Sequence, residues 1–204
     1  FSIINYPLLM IKISNITDLQ DARYCAAVNF SYISFDLKKG SPSFQTPEAI
    51  RQIAAWVTGV KFVIETNAES NDLLAEIYPT FPFDYMGLRE EDWGKLTFLP
   101  PYPVILRTSS QEITHLQGLL QVLPPDSLLE IEIEKAEQIV HFQTIANRCL
   151  FIAPNLAQLV HYLKKEGTAT GNFSLYEAAL FKEGGLDYEV LDDLVDALAC
   201  LKTP

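Results

Sequence analysis

Residues 10–27 read MIKISNITDLQDARYCAA. The stretch opens as an apolar β-type run and ends in a small polar pair, Ser14-Asn15. It then turns helical, with Thr17 and Asp18 both suited to cap the first turn. This is a strand–turn–helix unit. Its polar elbow is either a turn or the edge of a site, since Ser and Asn favour both.

The same unit recurs along the chain. Short apolar runs fall at 8–14, 32–36, 60–65, 83–88, 103–107, 127–133, 149–153 and 171–175. Continuous apolar runs of this length suit strands buried on both faces of a parallel sheet. Helical patterns alternate with them: TDLQDARYCAAV, TPEAIRQIAAWV with Thr46 as cap and Pro47 at the first helical position, SNDLLAEIY, SQEITHLQGLLQVL, KAEQIVHFQTIA, NLAQLVHYLKKEG and DYEVLDDLVDALACL. REEDWGKLTF, after the fourth run, is a weak helix. Eight βα units of roughly 23–25 residues predict a (β/α)8 TIM barrel with a single closed parallel sheet. A doubly wound open sheet is the rival. It usually has fewer strands and often a Gly-rich phosphate turn, and neither GxGxxG nor GxxxxGK[ST] occurs here. No Pro/Gly/Ser linker divides the chain, so residues 1–204 are expected to form one barrel domain.

Of 204 residues, 49% are hydrophobic and 20% charged, enough for a sizeable core. A net charge of -11 disfavours nucleic acid and anionic membrane surfaces as partners. No apolar run approaches the roughly 20 residues of a membrane helix. FSIINYPLLMIK lacks a basic segment and a cleavage site, so no secretory leader is expected. Cys25, Cys149 and Cys200 are far apart, odd in number and outside any CxxC. They read as buried thiols of a cytoplasmic protein.

In a barrel, reactive groups belong at the C-terminal strand ends. Those ends carry Ser14/Asn15, Asp36, Glu65/Thr66/Asn67, Arg89/Glu90, Arg107/Thr108, Glu130/Glu132/Glu134, Pro154/Asn155 and Ser174/Tyr176/Glu177.

Lys12-Ile13-Ser14-Asn15-Ile16-Thr17, then Asp21-Ala22 and Ser41-Pro42-Ser43, resembles phosphoribosylanthranilate isomerase. That family opens K-I-C-G-I-T, continues E-D-A, and carries S-P-R after strand 2. The resemblance is specific over about the first 45 residues and rests on element order beyond them. It implies an Amadori rearrangement of an aminoaldose phosphate to an aminoketose in tryptophan biosynthesis, with no cofactor or metal. It places Ser14 at the base position, where the family has a cysteine, and Glu130 at the acid position, where it has an aspartate. Ser43 falls where a substrate-holding arginine is expected. Asn155 and Ser174 fall in the phosphate-binding loops after strands 7 and 8. There, APNL and SLYEA replace glycine-rich turns, Pro154 has no N–H to donate, and Glu177 adds negative charge.

A serine hydroxyl is too weak an acid to serve as a resting base without an activating neighbour, and the sequence dedicates none to it. Two functions therefore stay open. One is an isomerase acting on a phosphosugar-type ligand. The other is a barrel that has lost this chemistry and acts as a small-ligand binding or regulatory protein. Either is a monomer or homodimer. Arg107 is expected to bind a ligand anion or to pair with Glu130. Lys38-Lys39 is a solvated loop or supplies the cation Ser43 lacks. His115, His141 and His161 lie on helices outside the barrel, with no second metal ligand at helical spacing. Phe142, Tyr162 and Trp56 read as helix-to-barrel packing.

Overall fold

A computed structural model describes residues 10–98, 101–152, 159–161, 172–175, 181–182 and 185–201. Eight parallel strands close into a barrel in chain order. They are β1 (Ile11–Ile13), β2 (Tyr32–Asp36), β3 (Lys61–Glu65), β4 (Tyr85–Arg89), β5 (Val104–Thr108), β6 (Leu128–Glu132), β7 (Cys149–Ile152) and β8 (Asn172–Leu175). The ring shuts where Lys12 of β1 lies in register with Ser174 of β8. Outside it stand α1 (Leu19–Ala27), α2 (Pro47–Ala54), α3 (Asn71–Ile77), α4 (Glu90–Trp93), α5 (Ile113–Val122) and a last helix, Tyr188–Leu201. Among the described residues, no helix is long and apolar enough to cross a membrane.

Local chemistry explains the elements. Asn15 has φ 63°, a left-handed turn that Asn tolerates better than most residues. Asp18 caps α1 by accepting from the Asp21 N–H at 2.8 Å. Thr46 caps α2, with Pro47 in its first turn. The weak segment after β4 makes only the short α4, and the Asn71 side chain then pins the chain, accepting from the Thr97 and Phe98 N–H groups and donating to the Phe98 carbonyl.

Three expectations need correction. KAEQIVHFQTIA forms 3-10 helices, Ala136–Phe142 and Ala146–Arg148, rather than an α-helix. Its buried residues, Ile139, Phe142 and Ile145, recur every third position, which matches three residues per turn. Phe142 does pack on Phe151 of the barrel, but Trp56 does not pack inward. Trp56 is 68% exposed because it lies beyond the end of α2, and Arg23 stands 6.0 Å from its ring centroid. An antiparallel pair, β9 (Phe181–Lys182) with β10 (Gly185–Leu186), lies between β8 and the last helix, where no element was expected. It is anchored by the buried Asp21 of α1, which accepts from the Leu186 N–H at 3.2 Å and the Tyr188 hydroxyl at 2.6 Å. Burial raises the Asp21 pKa, and these two donors act against that rise. Tyr162 lies outside the described residues.

Inside the ring, Tyr32, Val63, Tyr85, Ile105, Leu128 and Leu150 form an apolar plug. Side chains on one face of a strand recur every second residue. The next inward positions are therefore Ser34, Glu65, Gly87, Arg107, Glu130 and Ile152, so the barrel turns polar towards its C-terminal mouth. On the other strand face, Phe35, Phe62 and Phe81 pack in the outer layer.

Cys25 and Cys149 are buried, and burial pushes both thiols up to about 12. Both are expected to resist an aromatic disulfide reagent at pH 8 in the folded protein and to react once urea unfolds it. The folded state holds these protons more tightly than the unfolded chain, whose thiols titrate near the ordinary value of 9.0. Stability therefore falls as pH rises from about 9 towards 12, by at most about 4 kcal/mol per thiol. Urea midpoints at pH 8, 9.5 and 10.5 check this.

Candidate functional site

The polar half of the barrel is organised around one lysine. Lys12 is fully buried, and its Nζ donates to Ser14 Oγ at 3.0 Å, Glu65 Oε1 at 2.7 Å and Glu130 Oε1 at 2.8 Å. An ammonium has three N–H donors, and these three acceptors match them. The Ser174 hydroxyl donates to the same Glu130 oxygen at 2.6 Å. β1 contributes Lys12, and Ser14 directly follows its last residue; the two are two positions apart, so both point inward. β3, β6 and β8 bring Glu65, Glu130 and Ser174 to the same level.

Gly87 makes this packing possible. A Cβ there would lie 2.8 Å from Glu65 Cδ, so the Glu65 carboxyl occupies the space a β4 side chain would fill. Ser34, Gly87 and Ser174 are all small. Together they leave room along the axis for the long arms of Lys12, Glu65 and Glu130.

Nearer the mouth, Asp36 is buried. It accepts from the Lys38 N–H at 2.8 Å, the Ser41 hydroxyl at 2.6 Å and the Ser43 hydroxyl at 3.2 Å. The Lys38 ammonium stands 3.6 Å from Asp36 Oδ2 and 3.9 Å from Glu65 Oε2.

Ser14 and Glu130 thus meet at one ammonium, and Ser174 joins the cluster through Glu130. Ser43 belongs to the Asp36 cluster in the loop after β2. Arg107 does not pair with Glu130, although the two are in register. It binds Glu132 instead, through Nη2 at 2.6 Å and Nε at 3.0 Å, because Glu130 is turned in to Lys12. Asn155, Pro154 and Glu177 lie outside the described residues. His115 pairs with Glu90 at 2.8 Å, and His141 and His161 are exposed. Among the described residues, no group of three His, Cys, Asp or Glu could hold a metal ion.

Sequence reading did not single out Lys12. The available signal was phase, since a lysine two residues before Ser14 on a short strand must share its face. Asp36 and Glu65 appeared only among many polar strand ends, and what marks them out is burial, a tertiary property.

These features define a (β/α)8 barrel with a buried ionic site at the C-terminal strand ends. In fold it resembles the phosphoribosylanthranilate isomerases. One such isomerase, in complex with reduced 1-(o-carboxyphenylamino)-1-deoxyribulose 5-phosphate, matches with a TM-score of 0.73 at 14% identity, over 94% of this chain and 99% of that one. The Thermotoga maritima isomerase matches with 0.69 at 13%, over 94% and 99%. The Thermus thermophilus isomerase matches with 0.68 at 20%, over 95% and 100%. No family model matches the sequence, and no curated protein is significantly similar to it. At these identities the likeness is one of fold, and function rests on the site.

Proposed function

We propose that this chain is a phosphoribosylanthranilate-isomerase-like barrel, a single domain over residues 1–204, that receives a small polar ligand at its C-terminal mouth and does not perform the Amadori rearrangement. The observation that carries this reading is the Lys12 ammonium, bonded at once to Ser14 and Glu130. The rearrangement needs a base to take the C2 proton and an acid to open the sugar ring. The Ser14 hydroxyl accepts a hydrogen bond from a cation, which draws electron density from the oxygen that would have to act as base. Glu130 Oε1 already accepts from two donors, Lys12 and Ser174, which ties that side chain into the buried cluster and turns it away from a ligand at the mouth.

The competing reading is a working cytoplasmic isomerase of tryptophan biosynthesis. It draws support from the same pair, because a hydroxyl and a carboxyl stand at the two strand ends where that chemistry would need its groups.

Complementation separates the two. An auxotroph lacking the isomerase is expected not to grow without tryptophan when it carries this chain in soluble form. Growth would overturn the proposal. Growth only with Ser14→Cys would place the loss at the base alone, since the Lys12 ammonium would favour a thiolate there.

A further inference from the structure

We propose that the barrel encloses an ordered water molecule, held between the hydroxyls of Ser34 and Ser14 beside the Lys12 cluster. This site lies inside the ring and does not depend on what the mouth receives.

Ser34 carries the inference. It is fully buried, and its Oγ has no hydrogen-bond partner among the described residues. It shares the inward face of β2 with Tyr32 of the apolar plug, two positions earlier, and with Asp36, two positions later. A buried hydroxyl without a partner forfeits its hydration and gains nothing in return. Nearly all such groups in folded proteins bond to protein or to ordered water.

Ser14 is the neighbour with matching needs. Ile13 lies in register with Ile33, so the residues that follow, Ser14 and Ser34, stand side by side and both face inward. They do not bond to each other. Ser14 Oγ accepts from Lys12 Nζ, which leaves its own O–H as a donor to be placed. The Ser34 hydroxyl can donate once and accept twice. A water between them takes the Ser14 proton and pairs with Ser34. Glu65 of β3, on the other flank of β2, offers a charged acceptor for one of the water's own protons. A buried water typically has about two to four such partners.

The surroundings select a neutral molecule. A metal cation would face the Lys12 ammonium across the Ser14 oxygen, which that ammonium already holds at 3.0 Å. An anion would face the buried carboxylates of Glu65 and Glu130. Full burial of Ser34 restricts the occupant to one small enough to be enclosed, and water both donates and accepts.

A high-resolution crystal structure of the whole chain tests the site directly. The expected result is a density peak at roughly 2.7–3.2 Å from both Ser34 Oγ and Ser14 Oγ. Urea unfolding gives an independent reading. Ser34→Ala is expected to lower the folded-to-unfolded ratio by about fivefold, the worth of one net hydrogen bond. If the hydroxyl were a true orphan, its removal would raise that ratio instead. Ser34→Ala and Ser14→Ala should be non-additive, because both remove partners of the same water. A direct protein partner for Ser34 Oγ with no peak beside it, a gain in stability in Ser34→Ala, or simple additivity of the two substitutions would overturn the site. None of these results bears on the rearrangement, which complementation reads separately.

Discussion

Lys12→Met is expected to lower the unfolding free energy by about 3–5 kcal/mol. Methionine approximates the volume of lysine, so the loss is electrostatic rather than a cavity effect. The substitution leaves Glu65 and Glu130, with side chains only 6% and 1% exposed, without the counter-ion that sits 2.7 and 2.8 Å away. It also removes the donor to the buried Ser14 hydroxyl. Removing one member of a buried ionic cluster costs far more than replacing all of it. The triple variant Lys12→Met, Glu65→Gln, Glu130→Gln should therefore recover much of the loss. Urea unfolding at pH 7 reads both effects. A loss under about 1 kcal/mol in Lys12→Met would mean that the cluster is not buried as described.

Gly87→Ala is the second large effect. The added methyl would fall 2.8 Å from Glu65 Cδ and Oε2 and 3.0 Å from Oε1. The usual escape is for a flexible tip to swing aside, but this tip is held by Lys12 at 2.7 Å. Overpacking of this kind costs about 1–3 kcal/mol, and displacing Glu65 adds the weakening of its ion pair. The two sites are in contact, so their effects should not add. In Glu65→Ala the space is already open, and a further Gly87→Ala should cost little. A double-mutant cycle by urea unfolding tests this, and simple additivity of the two single changes would contradict the packing.

Much of the fold was legible because it rests on local patterns. All eight apolar runs became barrel strands, since a strand buried on both faces shows itself as an unbroken apolar stretch. Asn15 and Thr46 marked a turn and a helix start through their own backbone chemistry. The segment 136–148 misled because its apolar spacing of three lies close to the α-helical period. The short pair β9 and β10 carries too few residues to show any period at all.

The site was legible only in part. Ser14 and Glu130 were named from strand ends and a resemblance, and they do share one ammonium. What the sequence could not display is the shell that decides their chemistry. Lys12 reaches Glu65 across 53 positions and Glu130 across 118, so neither contact leaves a local signature. Arg107 shows the same limit. Register put it beside Glu130, but the side chain chose Glu132, because Glu130 had already been claimed from the barrel axis.

The most direct measurement is a progress curve for phosphoribosylanthranilate with the purified chain, read by the loss of substrate fluorescence. No rate above the spontaneous decay is predicted, at any pH between 6 and 9, for the wild type and for Ser14→Ala alike. A clear enzymatic rate that disappears in Ser14→Ala and in Glu130→Gln, while both variants stay folded, would contradict the claim that Lys12 holds these two groups out of acid–base chemistry.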